Sequence, residues 1–173
     1  METYAVEKSY ITSSTVNDSQ IEKLLSMQLS ILEMIANNLS TDRVLEELCF
    51  MSEAMLPDSV ASIMLFDETR NYLNVRSAPS IPQEGIDCLD GLKPGPKSGS
   101  CGTAVFTGEP VFVENTLSDN RWHQFRDFAK LFNISACWSI PIKNSSQLTI
   151  GSFALTSFEN RIPDYFHRCL LDA

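Results

Sequence analysis

Three short stretches of the chain carry residue types able to do chemistry. Ser98-Gly-Ser-Cys-Gly-Thr-Ala104 sets a thiol among small residues. A helix beginning near Cys101 would present free N–H groups to a carboxylate or phosphate and would lower the thiol's pKa. The alternative is that the glycines only let the backbone turn against a sheet, since nothing nearby supplies a general base. Asn120-Arg-Trp-His-Gln-Phe-Arg126 gathers two guanidinium groups, an indole N–H and an imidazole, donors suited to an acidic ligand. Its alternative is a capped helix with Trp122 and Phe125 in the core and both arginines in water. Cys137 and Trp138 are neighbours in a strand, so they point to opposite faces, and either lines a cavity or is plain core.

The familiar catalytic patterns are missing. There is no G-x-x-x-x-G-K-[ST], no G-x-G-x-x-G after a strand, no G-x-S-x-G and no H-E-x-x-H. Gly91, Gly95 and Gly99 are evenly spaced, but Pro94 and Pro96 remove the backbone donors that a phosphate cradle needs. Five cysteines without a C-x-x-C pair, and only two histidines, fit neither a disulfide framework nor a zinc site. Buried free thiols are the expectation, with no cofactor and no metal.

These stretches must be positioned by a scaffold of 173 residues, 43% hydrophobic and 20% charged, the composition of one globular domain. The net charge of −9 argues against nucleic acid and anionic membranes as partners, which need a basic footprint. No run of about 18 apolar residues is present, and the N-terminus lacks a signal-peptide pattern, so a soluble, cytoplasmic protein without membrane insertion is expected.

Residues 1–17, rich in Ser and Thr, read as a flexible leader. From Asp18, the residues Ile21, Leu24, Leu25, Gln28, Ile31, Leu32, Ile35 and Leu39 recur at helical steps, capped by Asp18 or Ser19. A second helix from Ser40 to Leu56 ends at Pro57. Residues 61–66 and 72–77 read as a strand–turn–strand unit, followed by a short helix over 81–89, a Gly/Pro loop over 91–100 and a brief helix over 101–106. A strand over 110–114, an amphipathic helix over 120–132, and a hairpin of strands 136–142 and 148–155 complete the middle. The last helix, 164–173, has Pro163 in its first turn and ends on apolar residues, so the chain reads as cut mid-helix. Two hairpins exclude a doubly wound parallel sheet and point to an α+β fold.

Together, Gly99-Ser-Cys-Gly-Thr-Ala104, Gly108-Glu-Pro-Val111, Arg121-Trp122, Ala136-Cys-Trp-Ser139 with Pro141-Ile142, Gly151-Ser-Phe-Ala154 and Arg161-Ile-Pro163 resemble a GAF domain. The likeness is strongest to the bacterial subgroup preceding diguanylate cyclases, cyclic-di-GMP phosphodiesterases and sensor histidine kinases. The resemblance implies an antiparallel sheet of five or six strands with helices on both sides, the N- and C-terminal helices being bundled on one face. It also implies a non-catalytic sensory domain over 40–173, with 18–39 a signalling and dimerisation helix, a homodimer through the terminal helices, and an output domain beyond the fragment. Mapped onto this sequence, its ligand pocket falls at Ser100, Cys101, Trp122, Arg126, Cys137, Trp138 and Ser139. The cyclic-GMP pattern N-K…F-x-x-x-D-E has no counterpart here. Free-methionine sulfoxide reductases share the segment around Cys101, but the position of their nucleophilic cysteine, near Phe125 and Arg126, holds none. A thiol-dependent redox enzyme of that type, or a purely structural dimerisation module, stands as the alternative.

Overall fold

The computed structural model describes residues 16–173, so the expected leader lies outside the described residues except for its last two positions. Helix α1 (Asp18–Ala36) starts at Asn17 rather than at Asp18 or Ser19. Asn17 accepts from the Gln20 N–H while the Gln20 side chain answers the Asn17 N–H, a reciprocal capping box. Helix α2 (Thr41–Met55) is capped by Ser40 and packs on α1. Strands β1 (Ser59–Asp67) and β2 (Tyr72–Ser77) form the first hairpin.

The roof follows, made of α3 (Gln83–Leu89), α4 (Gly99–Thr107), the three-residue strand β3 (Val111–Val113) and the stretch over 120–131. That stretch is not one amphipathic helix. Asn120–Phe125 winds as a 3-10 helix capped by Asp119, and α5 covers only Arg126–Leu131. Strands β4 (Ala136–Lys143) and β5 (Thr149–Ser157) form the second hairpin, and α6 (Tyr165–Asp172) closes the described chain. Asp164, in a capping box with His167, starts α6, and Pro163 lies before that cap instead of inside the first turn.

The five strands make one antiparallel sheet in the order β2-β1-β5-β4-β3. Its two faces differ in kind. Ala61 and Ile63 of β1, Trp138 of β4, and Phe153 and Leu155 of β5 pack with Met27, Cys49, Leu56, Leu170 and Leu171 beneath α1, α2 and α6. Most alternate residues on the other face are small or polar: Ser62, Cys137, Ser139, Ser152, Ala154 and Thr156 are all buried there. Small side chains let α4 lie close to β4 and β5, and Ala104 is fully buried at that contact. Gly99 opens α4 at φ +60 and Gly108 closes it at φ +70, both in the left-handed region where a side chain is strained.

Candidate ligand-binding site

The small-residue face leaves a cavity of about 180 Å³ between the sheet and its roof. Met64 and Ser62 of β1 and Thr156 of β5 form the floor, and Trp122, Phe125, Phe128 and Phe132 form a wall of rings. Phe158, immediately after β5, also lines it. Among the described residues, no aspartate, glutamate, lysine, arginine or histidine lines it.

Four of the seven residues expected at the pocket line this cavity: Ser100, Cys101, Trp122 and Cys137. A short relay ties three of them together. The Trp122 indole N–H donates to Ser100 Oγ at 3.0 Å, and the Ser100 hydroxyl donates to the Cys137 carbonyl at 3.0 Å. This relay crosses from the 3-10 helix through α4 to β4 and satisfies the indole N–H of Trp122, which is only 5% exposed.

The other three lie elsewhere. Trp138 is wholly buried on the opposite face, because alternation along β4 sends it away from Cys137. Its indole N–H donates to the Arg161 carbonyl at 3.1 Å, and its ring stacks against His167 at 5.2 Å. Ser139 shares the cavity side of β4 but lies beyond the lining, under α4. Arg126 starts α5 outside the cavity lining, and its Nε is buried without a hydrogen-bond partner among the described residues. The donor cluster expected over 120–126 does not converge. Arg121 is held by Asp119 at 2.9 and 2.6 Å, and His123 is exposed. The Arg121 guanidinium also holds the Asp119 carboxyl below the usual carboxylate range.

The thiols divide into separate environments. Cys49 is buried on the core-facing side of α2, and burial pushes its thiol up to about 11, which leaves it inert. Cys88 is exposed, contrary to the expectation of buried thiols throughout. Cys101 and Cys137 face each other on adjoining elements. The hydrogen bond from Cys137 lowers the Cys101 thiol to about 7. Ser139 and Ser152, whose buried hydroxyls have no other partner among the described residues, add to the effect. Cys137 is pushed the other way, first by its contact with Cys101 and then by burial. The two thiols are thus pushed in opposite directions, Cys101 down and Cys137 up. Among the described residues no group of three or more His, Cys, Asp or Glu side chains could hold a metal ion.

A family model described as GAF domain matches residues 38–168, most of the chain. The chain belongs to the GAF domain family. Over 144 residues it is 32% identical to the methyl sulfide methyltransferase-associated sensor of Methanosarcina acetivorans, a match covering 83% of this chain and 14% of that protein. The GAF domain of an Acinetobacter phosphoenolpyruvate-protein phosphotransferase superposes with a TM-score of 0.69 at 16% identity, covering 91% of this chain and 88% of that one. A domain of a Sinorhizobium meliloti sensor histidine kinase superposes at 0.62 with 20% identity, covering 76% and 82%. The fRMsr of Staphylococcus aureus, solved with its substrate, superposes at 0.64 with 17% identity, covering 86% and 88%. At these identities the structures share the fold, and the five-stranded antiparallel sheet with its helices is the GAF architecture.

The lining residues that the sequence did not single out come mostly from the roof and its loops, with four from strands β1 and β5. Val60, Ser62 and Met64 alternate along β1 with core residues, and a buried lining residue looks like a buried core residue in sequence. The available signal was the hydroxyl: Ser62 sits between Ala61 and Ile63, and Thr156 follows the apolar run Phe153-Ala-Leu155.

Proposed function

We propose that this GAF domain is a non-catalytic sensory module that takes up a small ligand and biases an attached output domain through its terminal helices. The observation that carries the proposal is the cavity of about 180 Å³ held open between a rigid sheet and a roof of short helices. The matched part of the Methanosarcina acetivorans sensor is 14% of that protein, which fits a sensing domain that works as one part of a longer chain. A histidine kinase is the output we favour, on the likeness to the sensor histidine kinase domain, with cyclic-di-GMP turnover as the alternative that the sequence motifs suggest.

Helix α1 suits transmission. Ile21, Leu25, Leu32 and Ile35 keep alternating four- and three-residue steps through Gln28, and all four are exposed, from 43 to 61%. The opposite side of α1 buries Met27 against the domain. An exposed seam with one polar residue at its centre is the pattern of a two-stranded coiled coil in register, so we assign it to a homodimer. A ligand that binds the folded state selectively raises apparent stability by RT ln(1 + [L]/Kd). A melting-temperature screen of small metabolites is therefore the test, and a screen in which none raises it removes the ligand from the proposal.

A second reading is favoured by the Cys101–Cys137 contact. Two such thiols can reduce a sulfoxide: one sulfur attacks the sulfoxide sulfur, the oxygen takes up two protons and leaves as water, and the second thiol attacks the first, releasing the thioether and closing a disulfide. Turnover of free methionine sulfoxide by the reduced protein, lost in Cys101→Ser, would establish this reading in place of the first. Against it stands the lining, which offers no charged side chain to the ammonium and carboxylate of a free amino acid.

A further inference from the structure

We infer that the ligand is a neutral, largely apolar molecule of single-ring size carrying at most one small hydrogen-bonding group. The inference rests on the small-ligand reading of this cavity and narrows it to a chemical class. Size sets the first limit. A cavity of about 150 Å³ lined by aliphatic and aromatic side chains holds a benzene molecule, and the present one, at about 180 Å³, has room for one ring and a short substituent.

Charge sets the second limit. With the Cys101 thiol protonated, an ion entering here would lose its hydration without meeting an opposite charge, which burial penalises heavily. Hydrogen bonding sets the third limit, because most hydroxyls of the lining are already committed. Ser80 donates to Glu53, Ser98 to the Lys93 carbonyl, Ser100 to the Cys137 carbonyl and Thr156 to the Cys137 sulfur. Ser62, 5% exposed on the floor, is the hydroxyl left to meet a ligand. The wall of four rings offers edge and face contacts to a flat guest, which aromatic pairs favour with centroids ~4.5–7 Å apart.

Four size-matched probes test the class: benzyl alcohol, indole, benzoate and benzylamine. Each is titrated into the full chain at about pH 6, where the Cys101 thiol, lowered to about 7, is mostly protonated. Binding is followed by melting temperature and by nuclear Overhauser contacts from probe protons to the Phe125 and Phe128 rings. The expected result is contacts from benzyl alcohol and indole, with benzoate and benzylamine weaker by on the order of 100-fold or more. Ser62→Ala should weaken benzyl alcohol by ~3–10-fold and leave indole unchanged if the hydroxyl meets the alcohol. Benzoate or benzylamine reaching the same rings within tenfold of benzyl alcohol overturns the neutral class and leaves the small-ligand reading standing. Failure of all four probes to contact the rings overturns both.

Discussion

Removing the hydroxyl of Ser100 tests whether the relay Trp122–Ser100–Cys137 holds the roof to the sheet. Ser100 is 1% exposed, accepts from the Trp122 indole and donates to the Cys137 carbonyl, both at 3.0 Å. Ser100→Ala deletes both bonds, each with a net worth of ~0.5–1.5 kcal/mol, and strands a buried indole N–H, which costs ~1–3 kcal/mol by itself. The loss expected is about 2–4 kcal/mol, with a fall in Tm of ~2–4 °C for each kcal/mol in a domain of this size. Trp122→Phe removes the donor instead, so in that background Ser100→Ala should cost only about 1 kcal/mol. The cycle then yields a coupling of ~1–3 kcal/mol. Urea unfolding of the four proteins, with unchanged m-values, gives the numbers. A Ser100→Ala loss well below ~1 kcal/mol, or an additive cycle, would refute the relay as a structural tie.

Three further outcomes are expected. Alkylation of Cys101 by iodoacetamide should rise with pH through a midpoint near 7, because its thiolate forms there and the thiolate is the nucleophile, while Cys137 stays unreacted; mass spectrometry after timed quenching reads both sites, and a Cys101 midpoint near 9 would contradict the paired-thiol geometry. Gly151→Ala should destabilise by about 1–3 kcal/mol, since a Cβ there runs into the Met64 carbonyl oxygen of the adjoining strand and backbone cannot step aside cheaply; a neutral result in urea would show the β1–β5 spacing to be soft. Leu32→Glu, at a position 61% exposed in the single chain, should leave the melting temperature of the monomeric domain within ~1 °C and abolish self-association in sedimentation. Dimers that survive it place the dimer interface elsewhere.

Much of the fold was legible because the sheet alternates cleanly and its hairpins are short. The strand and helix order read from the chain is the order observed. What local pattern does not carry is winding and facing. Over 120–132 the apolar spacing fits one helix, yet a six-residue stretch cannot distinguish three residues per turn from 3.6, and Asn120–Phe125 takes the tighter form. Trp138 and Cys137 were each eligible for the pocket, and only the placement of β4 between β3 and β5, with α6 beneath, decides between them. Arg126 shows a different limit. Its donors are plain in sequence, but its direction depends on where α5 restarts after Phe125. The pairing of Cys101 with Cys137 spans most of the roof in sequence, and no local spacing rule reaches that far.

Phe158 touches the cavity, and the Trp138 indole grips the carbonyl of Arg161 shortly after it. Asp164 then fixes the first turn of α6. The segment over 158–164 is thus a tether with little slack, fastened at the cavity, at its middle and at the helix it leads to. Arg161 tightens it again by donating to the Pro57 carbonyl at 2.8 Å. On the proposed sensory reading, a guest that displaces Phe158 would find no idle loop in which to lose that movement and would pass the strain to the last helix. On that reading, an empty cavity and a filled one would differ in the angle of α6.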